Sequence, residues 1–281
     1  MSGRLVVVGT PIGNLDDMTP RATRALRESS VIYCEDTRRT RKLLSALGIP
    51  APRLVRLDRH TEADLVAPAV ELVSGGACVA LVSDAGMPAI SDPGSLLVKG
   101  IATAGLPTEV TPGPSAVSTA LAVSGLPAGE YRFAGFLPRK GKDRRDVLSR
   151  VAAEPAAVVV FEAANRVAAT VGDLLGVCGG ERELVAAREL TKVHEEVWRG
   201  SLGAAVEWLA GIEPRGEWVL MLGPRPADDG PAARPDEIEA ALRARLDAGE
   251  DRRRAVAEVA TEMHVAKRVV YDVAVALKRR S

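Results

Sequence analysis

"ACVALVSDAGMPAISDPG" (residues 77–94) decides how the rest of the chain is read. A short apolar run, ACVALV, gives way to a loop of Asp, Ser, Pro and Gly, and then to SLLVKGIATAG, which has the make-up of a helix. A continuous apolar run ended by turn residues is the pattern of a strand buried on both faces. Strand, glycine loop and helix in that order is how many nucleotide sites begin. Phosphate sites want backbone N–H groups together with Lys or Arg. Residues 83–94 instead carry two Asp, two Ser, two Pro and two Gly, and no basic residue. Turn or helix capping by Asp84 and Asp92 accounts for part of this, but not for a loop with so little ordinary filler. The ligand it suits is one that tolerates carboxylates.

The same alternation runs outward in both directions. RLVVVG (4–9), VIYCED (31–36), RLVRLD (53–58) and PTEVT (107–111) read as strands. Between them lie TPRATRALRESS, with Thr19 as N-cap and Pro20 at the first helical position, TRRTRKLLSALG, stopped by Gly48, and EADLVAPAVELVSGG, with Pro68 near its first turns. Strands alternating with helices predict a mainly parallel, doubly wound sheet. The chain then restarts. EYRFAGFLP (130–138), AAVVVFEAANR (156–166, a strand with its exit loop), RELVAAREL (182–190), the edge strand EEVWRG and EWVLMLG (217–223) are strands, with helices between them. RKGKDRR reads as a basic loop before one of these helices. The expected organisation is an α/β domain over 1–126, a second over 127–224, a linker over 225–235 and a helical region over 236–281.

Composition bounds the function classes. Of 281 residues, 47% are hydrophobic, enough for a sizeable core, but only 3% are aromatic, so Val, Leu and Ala must fill it. Formal net charge is zero, so a polyanionic partner needs local basic patches. Cys34, Cys78 and Cys178 stand far apart and read as small buried hydrophobes of a reducing compartment. His60, His194 and His264 give no metal spacing, and no metal is expected. The opening MSGRLVVVGT has too short an apolar run for a signal peptide, and no run reaches the ~18 residues of a membrane span. A soluble, cytoplasmic protein is expected.

Several further stretches sit where ligands of open α/β sheets bind, at the carboxyl ends of strands. GTPIGNLDDMT (9–19) lets the backbone approach a ligand but lacks a P-loop lysine, and a plain strand-to-helix turn has the same make-up. CEDTRRTRKLL (34–44) sets two carboxylates against Arg38, Arg39, Arg41 and Lys42; a solvated charged face is the alternative. FLPRKGKDRR (136–145) suits phosphodiester contacts, or is solvated surface. TPGPSA (111–116) is another glycine turn before a helix. AARELTKVHEEVWRG (186–200) gathers Arg188, Glu189, Lys192 and His194. No Ser-His-Asp, Cys-His or HExxH arrangement can be assembled, which lowers hydrolysis and metal catalysis.

Together VVVGTPIGNLDDMTPRA, IYCEDTRRTRKLLSALGI, VSDAGMPAISDPG, TPGPSA, FAGFLPRKGK, ARELTKVHEE and GEWVLMLG resemble the tetrapyrrole methylase superfamily. Within it they are most similar to the methyltransferases of small-subunit ribosomal RNA. The resemblance implies two α/β domains of that type with S-adenosylmethionine in the cleft between them, and a homodimer. It implies 2′-O-methylation of a cytidine, cytidine 1402, in the decoding region of 16S rRNA within the small subunit. A sulfonium cofactor has no phosphate, which fits a loop without Lys or Arg. By position the resemblance gives Pro11, Ala85, Gly86, Met87, Ile90, Ser115, Ala116, Ala163 and Leu190 to the cofactor. Met87 stands where the family usually has Thr, so the loop is expected to grip mainly by backbone. EAANR carries Ala164 and Asn165 where the family usually has Pro and His.

For removing the hydroxyl proton the candidates are Glu35, Asp36, Glu189 and Lys192. Arg38, Arg39, Arg139, Lys140, Lys142 and Arg166 are the candidates for RNA phosphates. The helical tail reads either as an RNA-docking unit or as a packing or dimer element. Two other functions stay open: a superfamily enzyme acting on a tetrapyrrole or another small acceptor, and a non-enzymatic nucleic-acid binder relying on the tail.

Overall fold

The computed structural model describes residues 3–225, 235–263 and 267–280. Most of the expected linker lies outside the described residues, as does His264. Two compact units emerge, residues 1–224 and 225–281.

The first half of the larger unit holds β1 (Arg4–Val8), β2 (Val31–Cys34), β3 (Arg53–Arg56), β4 (Cys78–Leu81) and β5 (Thr108–Thr111). They form one parallel sheet in the order β3-β2-β4-β1-β5. The near-continuous apolar runs have a simple cause, because both faces are covered. Val6, Val8, Ile32, Cys34, Ala80 and Val82 pack beneath α1 (Pro20–Glu28) and α2 (Thr37–Ala46). Leu5, Val31, Tyr33, Val79 and Leu81 pack on the other face beneath α3 (Glu62–Ser74) and α4 (Ser95–Thr103). The start of α1 is as read: Pro20 is its first residue and the Thr19 hydroxyl accepts from Ala22 N–H at 3.1 Å.

α5 (Ala116–Ser124) follows β5 but serves the other half. Its Val117, Ala120 and Leu121 pack on Val159, Val185, Ala187, Val219 and Met221 of the second sheet. That sheet contains β6 (Tyr131–Phe136), β7 (Ala157–Ala163), β8 (Glu183–Arg188), β9 (Glu196–Ser201) and β10 (Glu217–Leu222), ordered β6-β7-β10-β8-β9. Only β6 and β7 pair parallel; the other three pairings are antiparallel. The loop from β8 to β9 has no crossover helix, so those two strands run antiparallel. β10 then enters between β7 and β8. The other face is covered by α6 (Gly141–Ala153), α7 (Ala164–Cys178) and α8 (Leu202–Ala210).

Two local expectations change. The basic stretch is shorter as a loop than expected, because α6 begins at Gly141 and carries Lys142 in its first turn. EAANR has no exit loop: α7 starts at Ala164, directly after β7. Buried Arg182, 1% exposed, is held without a carboxylate by the carbonyls of Val151, Ala152, Glu154 and Gly223. Three of these close the carboxyl end of α6, where a cation is favoured.

The smaller unit has α9 (Pro235–Asp247), α10 (Arg252–Glu262) and α11 (Lys267–Arg280) around a core that includes Ile238, Leu242, Val259, Val270 and Ala274. Its charges pair among themselves. Arg245 meets Glu250, Glu258 and Glu262, and Arg254 meets Glu258. Among the described residues no helix is long and apolar enough to cross a membrane.

Candidate functional site

The carboxyl ends of β1, β4 and β5 meet through backbone. A Cβ on Gly9 would lie 2.7 Å from Gly113 Cα and from Met87 Sδ, and one on Gly113 would lie 2.8 Å from Gly9 Cα. Only glycine at both positions lets GTPIG and TPGPSA touch. Thr10 and Gly86 exchange backbone hydrogen bonds of 2.9 and 3.1 Å, which stitches GTPIG to SDAG as well. The far end of the acidic loop is held from α3. Glu62, 4% exposed, accepts through one carboxylate oxygen from the N–H groups of Gly94, Leu96 and Leu97 at 2.9, 2.6 and 3.2 Å. It thereby caps α4, whose own N-cap residue, Gly94, has no side chain to do so.

Across from these loops the second sheet closes a cavity of about 470 Å³, within the range of small-molecule sites. Ile12, Glu35, Arg39, residues 84–87, residues 90–92, Ser115, Ala116 and Val117 line it from the first half. Phe136, residues 161–164, Leu190 and residues 216–219 line it from the second. The cavity is apolar on much of its wall, at Ile12, Ile90, Phe161, Leu190 and Val219, and acidic at Glu35, Asp84 and Asp92.

Two segments of the wall carry backbone strain. Among the described residues, the non-glycine residues with positive φ are Ala89 (65°), Ser91 (68°), Glu189 (51°) and Thr191 (66°). They bracket Ile90 and Leu190, the two aliphatic side chains that face the cavity from these loops. A left-handed residue costs about 1–2 kcal/mol, and such strain gathers at functional sites. Here it presents one apolar side chain from each half of the cleft.

The acidic wall is electrostatically perturbed. Burial, then the neighbouring carboxylates Glu35 and Asp84, push Asp92 up to about 6. Burial is also the main cause that raises Glu35 and Asp84. Asp84 ties the loop to α2 as well, accepting from Asp36 N–H at 3.1 Å and pairing with Arg39 at 3.5 Å. Arg59 donates to the Ser91 carbonyl at 2.9 Å.

Of the residues assigned to a cofactor, Ala85, Gly86, Met87, Ile90, Ser115, Ala116, Ala163 and Leu190 line the cavity. Pro11 stands outside the wall: buried Thr10 and Ile12 flank it, and Ile12 takes the lining position. Of the proton-acceptor candidates only Glu35 lines the cavity. Asp36 caps α2, accepting from Arg38 N–H at 2.8 Å, and its bonds to the Arg38 guanidinium hold it well below the usual carboxylate range. Glu189 and Lys192 face each other at 2.8 Å, and Lys192 also reaches Glu217 at 2.9 Å. The bond from Lys192 lowers Glu189, and the two carboxylates raise Lys192 against the opposing effect of its burial. This cluster abuts Gly13, where a Cβ would lie 2.4 Å from Lys192 Cγ, so it braces one half of the cleft against the other.

Of the basic candidates, Arg39 lines the cavity, and Arg38 lies outside it beside Asp36. Arg166 and Arg139 line a neighbouring groove; Lys140 and Lys142 are exposed at the start of α6. Arg166 is partly engaged, donating to the Leu137 carbonyl at 2.8 Å and pairing with buried Glu162 at 3.2 Å. Asp92 is the cleft residue that sequence reasoning treated only as a cap. Its burial and its carboxylate neighbours have no local signature. Among the described residues no group of side chains has the make-up of a metal site.

The family described as Tetrapyrrole (Corrin/Porphyrin) Methylases matches residues 4–206. A Thermotoga maritima protein named ribosomal RNA small subunit methyltransferase I is 44% identical over 220 residues, covering 78% of this chain and 98% of that one. A Synechocystis protein of the same name is 37% identical over 276 residues, covering 98% and 99%. Among solved structures, uroporphyrin-III C-methyltransferase from Thermus thermophilus, in complex with S-adenosylhomocysteine, superposes with a TM-score of 0.55 at 22% identity. It covers 79% of this chain and 97% of that one.

Proposed function

This chain belongs to the tetrapyrrole methylase family, and on that premise we propose that it methylates the ribose 2′-hydroxyl of a cytidine, cytidine 1402, in the decoding region of 16S rRNA. It is an S-adenosylmethionine-dependent methyltransferase of small-subunit ribosomal RNA. The observation that carries this reading is the chemistry of the cleft. Among the described residues lining it, Arg39 is the single cation, against the carboxylates of Glu35, Asp84, Asp92, Glu162 and Glu217 and apolar side chains that include Ile12, Ile90, Phe161, Leu190 and Val219. Such a site suits a cationic, partly apolar ligand and disfavours a phosphorylated one.

The cavity residues fit the cofactor. Gly86, Met87, Ser115 and Ala116 would hold it from the first half, and Ala163 and Leu190 from the second. Bound there, S-adenosylmethionine supplies a methyl group whose bond to sulfur breaks, with its electron pair staying on sulfur, as the bond to oxygen forms. The protein's part is orientation, exclusion of water and acceptance of the hydroxyl proton. Ile90 and Leu190, held by strained backbone, exclude water. Asp92, with Glu35 beside it, is the proton acceptor: a carboxylate raised to about 6 is ionised at neutral pH yet more basic than an ordinary one. Asp36, Glu189 and Lys192 act by holding α2 and the two halves in place.

Arg38, Arg39, Arg139, Lys140, Lys142 and Arg166 form the RNA-facing side. A homodimer and an RNA-docking tail belong to the same proposal, and the substrate places the activity with ribosomes in the cytoplasm. The test is to supply labelled S-adenosylmethionine with small ribosomal subunits, free 16S rRNA or a tetrapyrrole. Label in ribosomal RNA is expected. Label in the tetrapyrrole, or in none of the three, refutes the function.

A further inference from the structure

Beside the cleft runs a second depression of about 840 Å³. The two share Phe136 and Ala163, which form the lip between them. The EAANR stretch, where β7 passes directly into α7, divides at this lip. Ala163 and Ala164 face the cleft, whereas Asn165 and Arg166 line the groove. Aromatic side chains are scarce in this chain, with only three phenylalanines. All three stand in one edge-to-face row, Phe133 to Phe161 at 4.9 Å and Phe161 to Phe136 at 5.6 Å. Phe133 and Phe161 are partly buried, but Phe136 at the lip is 57% exposed.

The groove side of the lip carries cations of two kinds. Arg144 is committed to the fold, bound to Asp173, Thr170 and the Pro138 carbonyl at 2.7, 3.0 and 2.9 Å. Arg139 is exposed and has no ion pair among the described residues. An exposed ring beside an uncommitted guanidinium is the pairing that recognises an unstacked nucleotide: the ring stacks on a base of any identity, and the cation meets the phosphate.

We propose that this groove is the acceptor-nucleotide subsite, in which Phe136 stacks on the base of the nucleotide being methylated while Arg139, with Arg166 behind it, takes the adjoining phosphate. The proposal rests on the ribosomal RNA methyltransferase reading. In stacked RNA the 2′-hydroxyl is displayed along the shallow minor groove. In the proposed mode the nucleotide is extruded so that its ribose reaches down into the cleft, and its base then needs another partner. The lip between cofactor cavity and groove is where an extruded base lies when its ribose points into the cleft.

The test compares wild type, Phe136→Leu, Phe136→Trp and Arg139→Ala in methyl transfer to small ribosomal subunits, with S-adenosylmethionine affinity measured by calorimetry for each. Stacking on an aromatic residue is worth ~1–3 kcal/mol per base, so Phe136→Leu should lower kcat/KM for subunits about five- to 150-fold. Cofactor affinity should stay within about twofold. Phe136→Trp should keep kcat/KM within about threefold, and Arg139→Ala should reduce the salt dependence of substrate binding by about one unit of slope. Phe136→Leu acting like wild type overturns the subsite and leaves the function standing. So does a loss that lies wholly in cofactor affinity, or a tryptophan that fails as leucine does. Wild-type protein that labels no ribosomal RNA overturns both.

Discussion

Replacing Glu62 with alanine should both destabilise the protein and loosen its cofactor loop. One Glu62 oxygen accepts three N–H groups at the start of α4, at 2.9, 2.6 and 3.2 Å, in a setting where the residue is 4% exposed. Two of the three donors belong to the buried residues Gly94 and Leu97, which water cannot readily satisfy. A hydrogen bond to a charged group contributes ~1.5–3 kcal/mol, and stranding a buried donor costs ~1–3 kcal/mol. A carboxylate at a helix N-terminus adds up to ~2 kcal/mol. The three bonds share one oxygen and do not add fully, so the expected cost is ~3–5 kcal/mol, similar to removing one partner from a buried ionic pair. For a unit of this size that lowers Tm by roughly 6–20 °C. Glu62→Gln keeps an acceptor and should lose ~1–2 kcal/mol. Urea denaturation measures both, and calorimetry with S-adenosylmethionine measures the loop, whose last residue, Gly94, is one of the three donors. An alanine variant within ~1 kcal/mol of wild type would show that the α4 cap is not what holds this loop.

Asp92→Asn should stabilise the unliganded protein at pH 7.5 and do so less at acid pH. The folded state raises this carboxyl from 3.8 to about 6, so its favourable contribution is full below the unfolded value and lost as pH rises through about 6. Urea midpoints across pH 4.5–8 check the sign, and a variant no more stable than wild type at pH 7.5 contradicts it. In single-turnover methylation at saturating cofactor, Asp92→Asn should be ~10²-fold slower or worse, whereas Glu189→Gln and Asp36→Asn should slow chemistry by less than tenfold; the opposite ranking returns the proton-acceptor role to those residues. Gly113→Ala forces a Cβ to 2.8 Å from Gly9 Cα, which should cost ~1–3 kcal/mol by overpacking and weaken cofactor binding. An unchanged urea midpoint would mean that the two loops are not in tight contact.

The central strands of the first sheet, β1, β2 and β4, were legible because they are largely buried and therefore appear as unbroken apolar runs, such as Leu5 to Val8 and Val79 to Val82. Direction in the second sheet was not. Nothing local in EWVLML announces that β10 enters between β7 and β8 and runs against both. The resemblance gave most of the cleft wall, including Ala85, Gly86, Ser115 and Leu190, which sit on loops that converge at strand ends. Sequence reading failed where a side chain's role depends on a distant partner. Glu189 and Lys192 looked free and chemical, yet they close on each other and on Glu217. Asp92 looked like a cap, yet burial beside Glu35 and Asp84 makes it the most perturbed carboxylate of the wall. Pro11 was placed in the wall because its loop belongs there, but the lining residue is its neighbour Ile12.

The central claim is that the acidic cleft directs a methyl group from S-adenosylmethionine onto a ribose oxygen. It is tested most directly by where the methyl goes. Small ribosomal subunits lacking the modification are treated with the protein and labelled cofactor, the 16S rRNA is digested to nucleosides, and the labelled product is identified by mass spectrometry. The expected result is a single labelled nucleoside, 2′-O-methylcytidine. Label on a base carbon or nitrogen, or on a nucleoside other than cytidine, would contradict the account.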